Sequence, residues 1–198
     1  NDVVLSQTCG LPFRTWLHRD VHLVGTPDFG LEGCPPGYYR SVIVTRKDDP
    51  RAQLADYDGG VLAINGTDSQ SGYAAFLNHT AKSPLSLQDY FLSGSHRASA
   101  QAVVENRADL AALDAISWRL MKRWDRFSDK LRVLEMTVPT PGLPYICATD
   151  IDPAEIGDAV RCALAALPKD AKDTLGIKSL INIPKADYLA GPIPEGTT

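Results

Sequence analysis

Short apolar runs recur along the chain, each closed by a polar turn that opens a helical pattern, and this alternation restricts the fold more than any other feature. "SVIVT" at 41–45, "VLAIN" at 61–65 and "LAALD" at 110–114 are too short to be buried helices, and the stretches after the last two carry apolar residues at three- and four-residue spacing. Strands alternating with helices predict an α/β fold with a largely parallel sheet. The expected strands are 3–6, 21–25, 41–45, 61–65, 110–113, 131–137 and 145–148. The expected helices are 72–81, 87–92, 97–106, 116–124, 153–166 and 169–175.

The helix at 153–166 has the fullest set of signals. Asp152 stands at the N-cap, Pro153 at the first helical position and Glu155 in the first turn, while Ile156, Val160, Ala163, Leu164 and Leu167 share one face. It reads as scaffold. Two Pro- and Gly-rich stretches beside strands, "CPPGYYRS" at 34–41 and "VPTPGLP" at 138–144, are the candidates for segments that pass between lobes. No internal repeat or low-complexity segment interrupts the pattern.

Composition narrows the function classes. With 198 residues, 44% of them hydrophobic and 22% charged, the chain has enough apolar mass for one domain or two small ones. A formal net charge of −4 with acids and bases interspersed supplies no basic field for nucleic acid or for an anionic membrane. No apolar run approaches the roughly 20 residues that span a bilayer, so no membrane insertion is expected. The chain opens at once on Val3, Val4 and Leu5, as though entered mid-domain, with no leader ahead of them; residues missing from the N-terminus are the expectation.

Cys9, Cys34, Cys147 and Cys162 show no CxxC spacing and no histidine at ligand intervals, so neither a metal nor any cofactor is expected. Cys9 and Cys34 lie in turn-forming contexts, where a disulfide fits in an oxidising compartment. Cys147, in an apolar strand, and Cys162, on a helix, read as buried thiols.

Two polar clusters carry the chemistry. In "VLAINGTDSQSGYAAF" a strand runs into a helix whose first residues are Ser69, Gln70, Ser71 and Gly72. The first N–H groups of a helix lack internal acceptors and the macrodipole makes that end positive, so it can hold an anion. Serine hydroxyls add donors there, and Gly72 admits close approach to the main chain. The competing account is that Asp68 or Ser69 caps the helix and the rest is turn chemistry. In "SGSHRASAQAVVENRADLAALD" a helix starts after Ser95 or His96 and leads to a strand ending at Asp114, which is also placed to cap the next helix. Ligands in open α/β sheets lie at the carboxyl ends of strands, where Ser71, His96 and Asp114 are expected to converge.

The succession "GYYRSVIVTRKDDP", "LADYDGGVLAINGTDSQSGYAAF", "SGSHRASAQAVVENRADLAALD" and "LGIKSLINIPKADY" resembles the substrate-binding proteins of phosphate/phosphonate ABC transporters over nearly the whole chain, from about Asn1 to Tyr188. The resemblance implies a type II periplasmic-binding-protein fold, α/β in class, with two lobes joined by two crossing strands and a ligand cleft. Lobe I is expected from residues 1–46 plus 140–198, incomplete at its N-terminus, and lobe II from 47–139. By the same resemblance Ser69, Gln70 and Ser71 match the helix-start residues that bind phosphonate oxygens. His96 matches an anion-contacting histidine, Tyr38 or Tyr39 a cleft tyrosine, and Ser6, Gln7 and Thr8 another ligand-facing edge.

The implied function is capture of a small oxyanion such as phosphate or phosphonate for an ABC-transporter permease, in a bacterial periplasm, without chemistry on the ligand. Ile116 stands where aminophosphonate binders of the family place an acidic residue, and Asp114 is out of register with it. Phosphate, another phosphonate or another small anion therefore all stay open. A ligand-sensing module of the same fold is the alternative, and a cytoplasmic place is compatible with a chain that shows no leader. An enzyme is not expected: "SQSG" is not G-x-S-x-G, and His96 precedes the acid Asp114, the wrong order for an α/β-hydrolase.

Overall fold

The computed structural model describes residues 3–83 and 85–195. In chain order its elements are β1 (Ser6–Gln7), α1 (Gly10–Thr15), β2 (Val21–Asp28), β3 (Tyr38–Tyr39), β4 (Ser41–Arg46), β5 (Val61–Ile64), a π-helical turn (Gln70–Ala74) that continues as α2 (Ala75–Thr80), and β6 (Asp89–Leu92). Then follow α3 (His96–Val104), β7 (Leu110–Asp114), α4 (Ala115–Trp124), β8 (Leu131–Met136), β9 (Thr140–Pro141), β10 (Tyr145–Ala148), α5 (Pro153–Ala166), α6 (Lys169–Leu175), β11 (Ser179–Ile181) and α7 (Lys185–Leu189).

These elements fall into two compact units. One holds the described residues up to Tyr39 together with Pro139–Gly191, and the other Arg40–Val138 with the described residues from Pro192. The strand at 41–46 was expected in the first of them, yet β4 is hydrogen-bonded on both sides to strands of the second. The change of unit therefore comes at Tyr39 and Pro139 rather than after Arg46.

The first unit has a four-stranded sheet in the order β1-β10-β2-β11, every pair antiparallel, and a short β3–β9 ribbon. Phe13, Val21, Ile146, Ile183 and Tyr188 form its core, with the Phe13 and Tyr188 rings edge-on at 5.3 Å. The buried Tyr188 hydroxyl donates to the Gly142 carbonyl (3.0 Å) and meets Thr26 Oγ1, and burial pushes its pKa up. The helix α5 begins at the expected cap, with Asp152 accepting from the Ala154 N–H. Its packing is shallower than its pattern suggested, since only Gly157 is buried and Ala163 is exposed. The expected strand 3–6 is also curtailed. Val4 and Leu5 are 60% and 45% exposed, and although the Val3 carbonyl accepts from the Ala148 N–H, residue-by-residue pairing to β10 begins at Ser6.

The second unit is a five-stranded sheet in the order β6-β5-β7-β4-β8. Here β5 runs parallel to β6 and β7, whereas β4 is antiparallel to β7 and β8, so the sheet is mixed rather than largely parallel. Strand alternation sorts the core into two faces. Val42, Val44, Ala63 and Leu113 face α3 and α4 through Ala100, Val103 and Met121. Ile43, Leu62 and Ile64 face the π turn and α2 through Tyr73 and Phe76. The expected helix 87–92 is instead β6, paired residue by residue from Val61↔Asp89 to Ile64↔Leu92. A short apolar run beside an unpaired strand edge is captured by the ladder, which local periodicity does not reveal.

Below this sheet, Arg51 bridges Asp49 (2.7 Å) and Asp109 (2.6 Å) and stacks over Tyr57 at 4.0 Å. Asp109 also accepts from the Val61 N–H, so the network ties the loop after β4 to the start of β5. All four cysteines are thiols; Cys147 is buried, but Cys162 is exposed on the solvent side of α5. No helix among the described residues is long and apolar enough to cross a membrane.

Candidate anion site

The parallel strands β5, β6 and β7 end on the same edge of the second unit, and each leads into a helix there. Asn65 and a polar turn follow β5 into the π turn, Ser95 caps α3 after β6, and Asp114 both ends β7 and caps α4. Three helix N-termini, each with partial positive charge, thus open at one sheet edge.

The two serines flanking Gln70 divide the work. Ser69 Oγ accepts from the Gly72 N–H at 2.9 Å, which is helix capping. Ser71 Oγ lies 2.9 Å from His96 Nε2, while the Ser71 carbonyl accepts from the Ser41 hydroxyl (2.9 Å). Both serines and Gln70 are buried. A Cβ at Gly72 would lie 1.7 Å from Asn65 Oδ1 and 3.2 Å from His96 Cε1, so any larger residue there displaces the Asn65 side chain. Asn65 and Ser41, the former at the end of β5 and the latter at the start of β4, were not singled out from the sequence; a polar residue closing an apolar strand is the signal they offered.

Burial holds the His96 pKa below the ordinary imidazole value, opposed by the Asp114 charge and the Ala112 carbonyl. The ring is therefore neutral at neutral pH. Its Nδ1 is buried and has no hydrogen-bond partner among the described residues. With a proton on Nδ1, Nε2 accepts the hydroxyl proton of Ser71. Burial raises the Asp114 pKa, opposed by His96, by two helix N–H groups and by Arg119. Its Oδ1 accepts from Ile116 N (2.5 Å) and Ser117 N (3.1 Å), so the carboxylate is a helix cap that also lends its field to His96.

Ser69, Gln70, Ser71, Gly72, His96 and Asp114 thus gather at one edge of the second unit. The other residues singled out from sequence belong to the first unit. Ser6 and Gln7 are exposed on β1, with Gln7 donating to the Leu143 carbonyl (3.1 Å), and the Thr8 N–H donates to Pro144. Tyr38 donates to Asp187 at 3.0 Å. Tyr39 is buried, at 2% exposed. Among the described residues no group of three or more His, Cys, Asp or Glu is arranged to hold a metal ion.

The family described as "ABC transporter, phosphonate, periplasmic substrate-binding protein" matches residues 26–188. The chain has no match among curated proteins. Among solved structures it is similar to XAC2383 from Xanthomonas citri bound to chloride ion, at 20% identity and TM-score 0.70, covering 96% of this chain and 76% of that one. It is also similar to PhnD1 from Prochlorococcus marinus in complex with methylphosphonate, at 15% identity and TM-score 0.75, covering 94% and 74%. A binding-protein component of the ABC phosphonate transporter from Pseudomonas aeruginosa aligns at 17% identity and TM-score 0.70, covering 94% and 65%. These likenesses show the fold, that of the type II periplasmic binding proteins.

Proposed function

The chain belongs to the phosphonate periplasmic substrate-binding proteins of ABC transporters, and on that premise we propose that it captures a small tetrahedral oxyanion at the edge where β5, β6 and β7 end. The carrying observation is the Ser71–His96 contact at the opening of the helix starts. A hydroxyl, an imidazole and helix N–H groups form a donor set for oxygens around phosphorus, and Asp114, the carboxylate at this edge, has its Oδ1 turned to the α4 N–H groups. A methylphosphonate complex of a similarly folded protein supports the same ligand class. Delivery to a membrane permease in the periplasm follows from the family's role and belongs to this reading.

When the anion arrives, the Ser71 hydroxyl turns from Nε2 to a ligand oxygen, and Nε2 takes up a proton and donates as well. The ligand is held without bond breakage. A hydrolase reading starts from the same 2.9 Å contact, but Asp114 Oδ1 is taken by helix N–H groups and the buried His96 Nδ1 makes no hydrogen bond to a carboxylate of the kind that orients a nucleophile's base.

Calorimetric titration with phosphate, methylphosphonate and ethanesulfonate tests the proposal. Saturable one-site binding of at least one of them, weakened by Ser71→Ala, is expected. No binding of any of the three, with no anion retained in native mass spectrometry, refutes it. Hydrolysis of p-nitrophenyl acetate or phosphate that disappears in Ser71→Ala would establish the hydrolase instead.

A further inference from the structure

A groove of about 550 Å³ opens beside the candidate site on the same unit, between the start of α3 and the length of α4. Its inner end is formed by Asn65 and His96, the two residues that also abut Gly72 at the anion site. His96, which lines the groove, is also the residue that meets Ser71 at 2.9 Å. Away from that end the character changes: Leu120, Met121 and Trp124 line one side, with Leu120 and Trp124 one helical turn apart on α4 and 39% and 66% exposed. At the rim, Arg97 and Asp125 neutralise each other in a pair with N–O distances of 2.8 to 3.2 Å.

Leu120 and Trp124 lie side by side along a concavity, where an apolar group can leave water against both. The groove carries no unpaired charge for a polar or cationic group to meet. Its volume is in the range of small-molecule sites, well beyond what a single methyl group fills. Its continuity with the anion site through Asn65 and His96 sets which occupant fits.

We propose that this groove receives the organic substituent of the bound oxyanion, and that the preferred ligands are phosphonates bearing an apolar alkyl or aryl group of several carbons. The proposal rests on the oxyanion reading above. The anionic head stays at Ser71 and His96 while the substituent leaves water along Leu120 and Trp124. Each methylene so buried strengthens binding about three- to fourfold.

The test is a calorimetric series of methyl-, propyl-, butyl- and phenylphosphonate with inorganic phosphate alongside, on the wild type and on Leu120→Ser and Trp124→Ala. Both altered side chains are surface-exposed, and thermal melts check that each variant folds. Affinity is expected to climb three- to fourfold per added carbon in the wild type. Both variants should flatten that slope and leave methylphosphonate binding unchanged. Quenching or a blue shift of tryptophan emission with butyl- but not methylphosphonate, lost in Trp124→Ala, would accompany it. Methylphosphonate binding with a flat or falling series in the wild type overturns the substituent assignment and leaves the oxyanion site standing. A rising series that neither variant alters places the substituent elsewhere and overturns it too. Binding of no member, phosphate included, overturns the oxyanion reading and this inference with it.

Discussion

Ser71 Oγ and His96 Nε2, 25 residues apart in the chain, meet at 2.9 Å where two helices begin on a common sheet edge. The contact joins a helix-start hydroxyl to a neutral buried imidazole, and most of the expected behaviour of this protein follows from it.

The two neighbouring serines should separate binding from folding. Ser69→Ala removes a cap and is expected to cost about 1 kcal/mol of stability with little effect on affinity. Ser71→Ala removes a hydrogen bond to the bound anion and should weaken binding roughly 10- to 150-fold. It also leaves Nε2 without its partner, so a loss of about 1 kcal/mol accompanies it. Urea unfolding and calorimetric titration of both variants make the comparison, and equal affinities for the two would contradict the division of labour.

Anion binding should be coupled to proton uptake. The folded His96 pKa lies below its unfolded value of 6.5, so the imidazole lowers the stability of the ligand-free protein as pH falls below that value. A bound anion favours the imidazolium, and affinity should rise as pH drops below neutral. Titrations in two buffers of different ionisation enthalpy read the proton directly. His96→Gln should abolish the uptake.

Asp114 titrates with the opposite sign. Its folded pKa is raised above 3.8, so its ionised form is disfavoured at neutral pH and stability is gained as pH falls through the raised value. Asp114→Asn keeps a capping side chain but removes the field that supports His96⁺. The variant should fold, and the pH dependence of its affinity should move to lower pH.

Gly72→Ala should destabilise by about 1 to 3 kcal/mol, because the new methyl group meets Asn65 Oδ1 inside a buried turn. The double variant with Asn65→Ala should recover most of that loss in a thermal melt. Absence of recovery would mean that the His96 ring, not Asn65, sets the limit.

Acid stability should depend on Asp49. The Arg51 guanidinium holds its pKa down at about 2 against an ordinary 3.8, so its contribution is complete above pH 3.8 and vanishes toward pH 2. That is worth on the order of 2 kcal/mol. Unfolding by urea at pH 7, 4 and 2.5 should show the loss in wild type, and Asp49→Asn should flatten it.

The α/β class, the helices at 153–166 and 169–175, and the helix opening at the "SQSG" turn were all legible from residue order, because capping residues, apolar periodicity and turn chemistry act within a few positions. The segment 87–92 misled, since its apolar residues fit either period and only the free edge of β5 made it a strand. Tyr39 shows another limit: a tyrosine beside a crossing strand reads alike whether it is buried or exposed, and here it is buried.

Local chemistry, then, is what the sequence by itself determined: which turns cap helices, which residues can donate to an anion, and which stretches are apolar enough to pair. Tertiary structure decided the partners. The antiparallel placement of β4, the meeting of Ser71 with His96 and the lowered pKa of that imidazole depend on chain segments tens of residues apart, whose desolvation and field are set only once the sheet has brought β5, β6 and β7 to one edge.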